Sequence, residues 1–583
     1  MCRQGFLFYC VEYRYALRVR RHYIDVPGVR CAHRVLRTFA RNKETIMSRR
    51  QFLARSLSAV LASLFARDVF AQHAGHSMPD MPDMDDMPGM SGTQHAEPSV
   101  KKTSPVTLAA PDALPHGAPL ADLRKLPNDS REPGIFRATL VAEPVSREVL
   151  PGHPTIFWQY NPANGDTTKG PFTGPLIDVR EGDTVEIRFV NRLPQPSTIH
   201  WHGLPVPPDQ DGNPANMVAP GATRVYRFTL PAGSAGTYWY HPHPHMMSAE
   251  QVFRGLAGPI IVRAADDPLA GWPERTLFFS DLRLASNGSI PPNNMMDWMN
   301  GREGQFVLVN GALRPRIAVV EDERWRLWNA CSARYLRFSL GDGQRFAQVG
   351  TDGGLLDKPR DGLTELLLAP GERAEVIVRA GDAPSEATLT AEVYDRRKMA
   401  MSHGSLPPDP ARALAAVNYL PPAGASERAI PATLRTIMSL RAPVARKSVV
   451  FSESMDMAAM HRPGASARGM PGGMKFMING ATFDPGRVTL TSRRNEVELW
   501  SIENRTDMDH PFHLHGTQFQ VIERERGGAT IPEPYLAWRD TVNVQPDEIV
   551  RIATVQNTAG VRMFHCHILE HEDLGMMGTL KVT

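Results

Sequence analysis

Apolar and polar residues alternate with a period of two along much of the chain after residue 105. The alternation is clearest in three stretches, 174–191, 310–330 and 479–504, each of which begins with a turn and ends near an Asn. Successive side chains of a β-strand point to opposite faces, so this pattern predicts strands with one buried face. Because the three stretches follow one scheme, they predict an internal repeat.

Each copy of the repeat contains a second matching stretch. These stretches read VAPGATRVYRFTL, LAPGERAEVIVRA and VQPDEIVRIATV. Alternation bounded by Pro-Gly or Pro-Asp turns predicts three β-sandwich modules of roughly 100–150 residues each. The chain has 46 Gly and 50 Pro, which also favours many short strands over long helices. We place the first module at residues 105–268, the middle module at 269–425 and the third module at 426–583.

Residues 47–71 have the features of an export signal. The sequence SRRQFLA at 48–54 is a twin-arginine signature, and residues 53–70 are modestly apolar and end in VFA, a small-residue cleavage pattern. The alternative is a short buried helix that contains an Arg pair by chance. We predict cleavage after Ala71, export of the folded protein to the periplasm by the twin-arginine route, and residues 1–46 as translated upstream sequence.

Removal of the signal changes the charge and the cysteine count. The full chain has a formal charge of +3, but cleavage removes 14 basic and 4 acidic residues and leaves 51 Lys and Arg against 58 Asp and Glu. A protein with this acidic balance is not expected to bind nucleic acid. No later stretch reaches about 18 apolar residues, so we expect no membrane anchor, and we expect a monomer. Cys331 and Cys566 remain, and counting alone allows a disulfide between them.

Half of the 20 histidines fall into four short groups. The groups are HWHG, HPH, HPFHLHG and HCHILEH, and they contain His200, His202, His241, His243, His510, His513, His515, His565, His567 and His571. On a strand, residues two apart project to the same face, so a His-x-His strand offers two imidazoles to one site. A single pair of this kind is also compatible with a surface strand, but four groups together indicate metal binding.

Cys566 lies between His565 and His567 in the last group. If the two histidines point to one face of a strand, Cys566 points to the other, and three consecutive residues can then connect two metal centres. A Cys thiolate with two His and a weak axial Met is the ligand set of a blue-copper site. The ligands that complete this set are His510, His571 and Met576.

The remaining eight histidines fit one cluster, with two from each group. Imidazole suits copper, and eight imidazoles are enough for three copper ions with open positions for oxygen. Zinc is the rival metal, but a structural zinc site closes with four ligands and does not need eight. The first and third modules supply all four groups, so the cluster is expected between them. The middle module holds only His403 in 275–421 and is expected to act as a spacer.

The four groups, in this order, resemble the copper-binding signature of the multicopper oxidases. The stretches NGALRPR, TDGGLL, HPFHLHGTQF and HCHILEHEDLGMM resemble more closely the bacterial copper-efflux oxidases, which are periplasmic cuprous oxidases with laccase activity. The resemblance covers residues 105–583. It implies an all-β fold with three cupredoxin-like β-sandwich domains.

The resemblance also implies a role for each ligand. It implies four copper ions: a type 1 ion held by His510, Cys566, His571 and Met576, a type 2 ion held by His200 and His513, and a type 3 pair held by His202, His241, His243, His515, His565 and His567. Electrons from substrate would then pass one at a time through Cys566 to the cluster, where four of them reduce O2 to water.

Two carboxylates occupy positions that serve as proton relays in the family. They are Asp211 and Glu572. Four protons are needed for each O2, and carboxylates near the cluster are natural carriers. The alternatives are a turn Asp before Gly212 and a solvated loop Glu, because Asp-Gly is a common turn by itself.

Methionines recur every third residue in the segment that precedes the first module. In residues 72–104 the repeat runs from Met78 to Met90, and three interspersed Pro forbid a helix. A polyproline II helix has three residues per turn and would place these thioethers on one face, where they would bind labile Cu(I). The alternative is a flexible low-complexity tail.

A second Met-rich segment, 452–477, precedes the third repeat. Its position matches the insert that carries the substrate Cu(I) site of the copper-efflux oxidases. The resemblance gives Met508, Asp507, Met455 and Asp456 as candidate substrate ligands. Thr506 stands where the family has an Asp, and Asp507, Asp456 and Glu453 are the candidates to replace it. In the alternative, these methionines only pack in the core.

The sequence therefore predicts a multicopper oxidase that oxidises Cu(I) to Cu(II) with O2 and serves periplasmic copper tolerance. A laccase that oxidises phenols or aromatic amines is the first alternative. The non-enzyme alternatives are a copper carrier or sequestering protein and a relative that keeps the fold without the metals. The complete ligand set argues against the last of these. Copper nitrite reductase shares the cupredoxin module but would leave half of the histidines unused.

Overall fold

The computed structural model describes residues 106–165, 170–341, 343–401, 404–421, 428–460 and 469–583. All of them belong to one compact unit, which spans Lys102–Thr583. The predicted upstream sequence, export signal and Met-rich tail (residues 1–46, 47–71 and 72–104) lie outside the described residues, as does His403. Among the residues that are described, no helix has both the length and the apolar character needed to cross a bilayer.

The chain folds into three successive pairs of β-sheets, which confirms the all-β, cupredoxin-like fold. The first pair comprises a sheet of His153–Pro162, Ile135–Leu150, Thr184–Asn191 and Thr223–Thr229 and a sheet of Ile177–Arg180, Gly258–Arg263, Gly236–His241 and His200–His202, each in spatial order. Apolar side chains from both sheets meet in one core that includes Trp201. The first module is therefore a sandwich.

The middle pair is larger. One sheet contains, in spatial order, Ala312–Leu313, Phe306–Val309, Glu274–Leu282, Glu323–Asn329, Arg373–Val378, Phe346–Thr351 and Gly354–Leu363. The other contains Arg316–Val319, Arg412–Tyr419, Ser385–Glu392, Leu336–Ser339 and Glu365–Leu368. Their shared core includes Trp325 and Cys331.

The third pair forms the C-terminal sandwich. One sheet contains Met474–Ile478, Ala445–Met455, Val497–Asn504, Glu548–Val555, Phe519–Arg526 and Ala529–Pro532. The other contains Leu490–Ser492, Met577–Val582, Gly560–Cys566, His510–Leu514 and Thr541–Val544. Trp500 and Cys566 lie in the core between them. Both Cys331 and Cys566 are free thiols, so the disulfide that counting allowed does not form.

The internal repeat corresponds to a repeated strand pairing. In each sandwich the strand of the first stretch pairs antiparallel with the strand of the second stretch: Thr184–Asn191 with Thr223–Thr229, Glu323–Asn329 with Arg373–Val378, and Val497–Asn504 with Glu548–Val555. The same first strand also pairs parallel with the strand that opens its sandwich. The sheet pairs fall within the three predicted modules, whose boundaries themselves stay predictions.

The described residues include a few short helices, and three of these pack together where the modules meet. The α-helices are Ser248–Phe253, Met295–Asn300, Met457–Met460 and Leu569–Asp573, and Pro214–Asn216 is a 3-10 helix. The helix Leu569–Asp573 of the third module packs against Ser248–Phe253 of the first and Met295–Asn300 of the middle module. Asp573 accepts hydrogen bonds from the backbone N–H groups of Ser248 and Ala249 at 3.2 and 3.1 Å. The loop after Cys566 is thereby held by all three modules.

A buried ion network joins the first and middle modules. The Glu375 carboxylate is completely buried and accepts from Arg326 at 2.6 Å, from Arg324 at 2.7 Å and from the Thr237 hydroxyl at 2.6 Å. Burial alone would raise the pKa of Glu375, but Arg324 and Arg326 lower it to about 2. The carboxylate is therefore charged, and it compensates two buried guanidinium groups.

We predict that Glu375→Ala destabilises the protein by about 3–5 kcal/mol, because Arg324 and Arg326 lose a completely buried counterion and keep only the partly exposed Asp267 and Glu274. Urea-induced unfolding measures the change. The control is Glu365→Ala, which breaks the exposed pair of Glu365 and Arg337 and should cost only about 0–1 kcal/mol. Equal losses in the two variants would contradict a structural role for the network.

Candidate metal centre

The strand His200–His202 brings its two histidines to one face of the first sandwich. The strand pairs antiparallel with Gly236–His241, and His200 lies opposite His241. Trp201 points the other way and belongs to the core of the sandwich. The Trp201 side chain thus fixes which face of the strand is buried, and the two imidazoles project together towards the third module.

The strand Gly560–Cys566 carries both predicted kinds of ligand. It pairs with His510–Leu514, so that Phe512 lies opposite Cys566 and His513 lies opposite His565. Phe512 and Cys566 belong to the core of the third sandwich. The rings of His513 and His565 lie on the other face, against histidines of the first module. The alternation expected around Cys566 is present.

The structure brings together the eight histidines predicted to form the cluster. All of them are completely buried. The facing ring nitrogens are 3.1 Å apart for His515 and His565, 3.2 Å for His243 and His565, 3.3 Å for His200 and His513, and 3.4 Å for His202 and His241. The ring of His567 completes the group, with its centroid 4.9 Å from that of His202.

The donor set of this cluster fits metal ions. Two nitrogens on one ion, with bonds of about 2.0–2.1 Å and a near-tetrahedral angle, lie about 3.3 Å apart, which matches the facing pairs. Both ring nitrogens of His567 and Nδ1 of His243 have no hydrogen-bond partner among the described residues. Burial, reinforced by neighbouring charges, holds the pKa of His241, His513 and His567 well below the usual value. These imidazoles are neutral, and neutral imidazole is the form that binds copper.

A second group lies on the core side of the same strand. His510 Nδ1 is 3.2 Å from Cys566 Sγ and 3.3 Å from His571 Nδ1. Burial raises the pKa of the Cys566 thiol and lowers that of His510 to about 3. A bound metal ion would keep such a thiol deprotonated. Met576 is completely buried in the same core, and its backbone O accepts from Cys566 N at 3.0 Å.

His571 is enclosed by two further residues. Its Nε2–H donates to the backbone O of Met299 at 3.1 Å, and its ring stacks on Phe476 at 3.9 Å and 15°. Met299 belongs to the helix Met295–Asn300 of the middle module. The middle module therefore does more than separate the other two, because it supplies a hydrogen-bond acceptor to a candidate ligand.

Asp211 lies between two histidines of the cluster. Its carboxylate oxygens are 3.0 Å from His200 Nδ1 and 3.1 Å from His515 Nδ1, and the residue is completely buried. Burial raises its pKa, although His200 opposes the shift. Gly212 is required after it, because φ is +68° and a Cβ there would lie 2.0 Å from Ile199 O. The Asp-Gly turn is thus present, and it aims the carboxylate at the cluster.

Glu572 is buried, not solvated. Its Oε1 lies 3.6 Å from His243 Nε2 and its Oε2 lies 3.4 Å from His565 Nδ1, and only 1% of the side chain is exposed. His565 Nδ1 donates instead to the backbone O of Cys566 at 2.9 Å, so Glu572 borders the cluster without a hydrogen bond to that ring. Burial, together with Asp573, raises its pKa well above the usual value. The solvated-loop interpretation of this residue is wrong.

Sequence reasoning missed a third carboxylate at the cluster. Asp540 is completely buried, and its Oδ1 is 3.0 Å from His202 Nε2. Its backbone O is 2.9 Å from His513 Nδ1. Asp540 sits alone in the stretch WRDTVNV, without a His or a second acid beside it, so no local pattern marks it. Only the fold brings it to the histidines.

The candidate substrate residues are two methionines and three carboxylates, which lie in different surroundings. Met508 is buried in the core that holds Cys566, and Met455 packs against that core. Glu453 is half-buried and its Oε1 accepts from Asp507 N at 3.3 Å. Asp456 is exposed, and its Oδ1 accepts from Ala459 N in the adjacent helical turn. Of the three carboxylates considered, Glu453 and Asp507 are therefore adjacent to each other, and Asp456 is occupied elsewhere.

The pKa of the half-buried Glu453 carboxyl is raised. Burial raises its pKa to about 7, and the neighbouring charge of Asp507 adds to the shift. Thr506, at the position where a carboxylate was expected, instead donates to the backbone O of Met508 at 3.0 Å. The carboxylate that accepts from the backbone of Asp507 comes from the strand Ala445–Met455.

The comparisons with known proteins agree with the site. Sequence profiles of multicopper oxidases match residues 157–267 and 453–583. The chain is 32% identical over 441 residues to multicopper oxidase mco of Staphylococcus haemolyticus, with 74% of this chain and 86% of that protein covered. It is 28% identical over 552 residues to the laccase of Bacillus subtilis, with 81% and 98% covered.

Two other similarities bear on function. The chain is 30% identical over 429 residues to cell division protein FtsP of Photorhabdus laumondii, with 70% of this chain and 83% of that protein covered. A solved structure from Campylobacter jejuni, described as a multicopper oxidase and a metallo-oxidase, is 42% identical and superposes with a TM-score of 0.76, with 82% and 98% of the two chains covered.

Three cupredoxin-like sandwiches with a buried thiolate site and a histidine cluster define a copper-dependent oxidoreductase. The chain belongs to the multicopper oxidase family. The number of copper ions and the division of the ligands into types stay predictions.

We predict that Cys566→Ser abolishes the blue absorption that a Cys thiolate gives to bound copper(II), while copper bound by the histidine cluster is retained. Visible spectra and metal analysis of the loaded protein measure both. Cys331→Ser is the matched control, since Cys331 is an equally buried free thiol in the middle module and should leave the colour unchanged. Loss of colour in both variants would mean that disruption of a core, and not loss of a ligand, is responsible.

Proposed function

We propose that this protein is a cuprous oxidase, which oxidises Cu(I) to Cu(II) with O2 as the electron acceptor. The observations that carry the proposal are the position of Met508 in the core that holds Cys566 and the Glu453 carboxylate, which accepts from the backbone N–H of Asp507, the residue before Met508 in the chain. Thioethers select Cu(I) over harder ions, and carboxylates attract the cation. The relative from Campylobacter jejuni that is described as a metallo-oxidase supports the same class of substrate.

Four resident copper ions would supply the redox chemistry, with one-electron transfer at Cys566 and O2 reduction at the histidine cluster. His510, Cys566, His571 and Met576 would hold the first ion, and the other eight histidines would hold the remaining three. The chain connects the two sites covalently, because Cys566 is bonded through its backbone to His565 on one side and His567 on the other. No diffusing carrier is needed between them.

Asp211 and Glu572 would serve the four protons that each O2 requires. Both carboxyl groups are buried next to different histidines of the cluster, and burial raises the pKa of each. A raised pKa favours the protonated carboxyl, which is the form that donates a proton. Asp211 hydrogen-bonds to His200 and His515, whereas Glu572 borders His243 and His565.

The enclosure of His571 argues against a laccase as the main activity. The Met299 backbone and the Phe476 ring cover Nε2 and one face of the imidazole, so an organic ring cannot lie against it without displacing them. The laccase of Bacillus subtilis is a relative, and slow turnover of phenols is compatible with the fold. A small cation needs only a few donor atoms and therefore less open space than an organic ring, although Met508 is itself buried.

Periplasmic copper tolerance is the biological role that fits this activity. Conversion of Cu(I) to the less permeant Cu(II) outside the cytoplasm protects the cell, and the predicted twin-arginine signal would deliver a folded protein there. A copper carrier would need no buried cluster, and a relative that keeps the fold without the metals would not need ten histidines in register.

We predict that Met508→Leu lowers the rate of Cu(I) oxidation about 10-fold or more and changes phenol oxidation less than twofold, because Leu keeps the volume but removes the soft ligand. Steady-state O2 consumption by the copper-loaded protein measures both rates. Met438→Leu is the control, since Met438 is 74% exposed and outside the core. If phenol turnover exceeds Cu(I) turnover and Met508→Leu affects neither, the protein is a laccase.

We predict that the KM for Cu(I) falls as pH rises from about 6 to about 8, because Glu453, with a pKa of about 7, becomes a carboxylate in this range. The sign follows from the charge, since the ionised form attracts the cation and the protonated form does not. Glu453→Gln should make KM independent of pH over this range. Glu503→Gln, which removes an acid paired with Arg505 on the surface, should keep the dependence. A KM that falls with pH in Glu453→Gln would exclude this residue.

A further inference from the structure

We propose that Arg373 of the middle module is a positioning residue for the histidine cluster. Its guanidinium fixes the Asp540 carboxylate, which accepts from His202, and thereby holds the residue whose backbone O accepts from His513. This inference rests on copper as the resident cofactor and not on Cu(I) as the substrate.

The guanidinium of Arg373 contacts all three modules. Nε donates to Thr237 O of the first module at 2.8 Å. The terminal nitrogens donate to both oxygens of Asp540 in the third module at 2.7 and 2.5 Å, and to the backbone O of Gly371 and Asp352 at 3.0 and 3.2 Å. All five N–H donors of the side chain are therefore used, and Arg373 is only 2% exposed.

Asp540 in turn determines which nitrogen each histidine offers. His202 Nε2–H donates to Asp540 Oδ1 at 3.0 Å, so Nδ1 carries the lone pair that faces His241. His513 Nδ1–H donates to Asp540 O at 2.9 Å, so Nε2 faces His200. A histidine ligand is held in one tautomer by the hydrogen bond of its other nitrogen. Asp540 thus holds His202 through its carboxylate and His513 through its backbone in opposite tautomers, and the Thr541 hydroxyl lies 3.2 and 3.1 Å from the same two nitrogens.

Asp540 acts through these hydrogen bonds and is not itself a metal ligand. Its carboxylate lies within reach of His202 and His513, which would also suit a cation. However, the bidentate Arg373 fork occupies both oxygens, and a cation beside the guanidinium would be repelled.

The sandwich fold does not require an Arg at this position. In the three matching stretches of the repeat, the residue that follows the turn is Thr223, Arg373 and Ile549. The three strands pair in the same way within their sheets. Only the module that supplies no histidine has a guanidinium here, so the side chain serves the contact with Asp540 and not the strand.

The turn before Arg373 is also fitted to the cluster. Gly371 has φ +89°, and a Cβ at this position would lie 2.9 Å from the nearest atom of the His567 ring. In the sequence PGER, Gly371 thus allows the backbone to contact His567. Arg373, two residues later, binds Asp540, which contacts His202 and His513. Residues of the middle module therefore pack against the cluster, although none of the predicted cluster ligands belongs to this module.

The test compares copper retention by the loaded full-length variants Arg373→Gln, Arg373→Lys and Arg326→Gln. A Cu(II) chelator is titrated into each protein, and three quantities are followed: total bound copper, the blue absorption of the Cys566 copper, and the electron paramagnetic resonance signal of imidazole-bound copper. Loss of a hydrogen-bond partner behind a metal ligand lowers metal affinity about 10–100-fold. In Arg373→Gln, cluster copper should therefore leave at about 10-fold lower chelator concentration, while the blue copper is retained.

Arg326→Gln is the matched control, because Arg326 is an equally buried guanidinium that also contacts Thr237 but not the cluster. It should release cluster copper as the unmodified protein does. Arg373→Lys keeps the charge but not the fork and should fall between. If Arg373→Gln does not fold, a shift in Arg373→Lys without one in Arg326→Gln supports the inference. Unchanged cluster copper in the Arg373 variants, an equal loss in Arg326→Gln, or parallel loss of blue and cluster copper overturns it.

Discussion

The alternation of side chains along a single strand is the constraint on which this structure depends. In Gly560–Cys566 and the residue after it, odd and even positions face different compartments: Cys566 faces the core of the third sandwich, and His565 and His567 face the first module. The two faces of the strand cannot be altered separately, because a shift of its pairing register by one residue would exchange the positions of the thiol and the imidazoles. The sandwich fold is what keeps the register, through the pairing with His510–Leu514.

The second constraint is the cost of burial. Ten imidazoles and several carboxylates lie out of contact with water, and buried polar groups are costly unless they are paired. The protein pairs many of them with one another across module boundaries, as between Asp211 and His515 or between Asp573 and Ser248. The interface between modules therefore combines apolar clusters, such as Trp239 with Trp328, with buried polar and ionic pairs whose stability depends on the fit of individual partners.

The sequence predicted most of what is local and little of what is distant. The His-x-His groups could be assigned to strands because spacing of two residues has a direct structural meaning, and the repeats predicted the paired strands of each sandwich. Asp540, Arg373 and Met299 could not be found, because each reaches the site through a contact between residues far apart in the chain. Glu572 was recognisable only by resemblance, since its burial comes from the helix packing around it. The choice of Glu453 over Asp456 beside Asp507 needed the side-chain directions at the end of one strand.

The complete burial of the ligands has a consequence for metal exchange. A copper ion at the cluster would contact no solvent-accessible nitrogen, since all eight histidines are completely buried between the modules. Release would then require the modules to move apart locally, in addition to the breaking of the bonds to the ion. Such a protein can hold an ion for long periods even where competing ligands are abundant. The same enclosure means that the ions must be inserted before the modules close, or through a transient opening of the same interface.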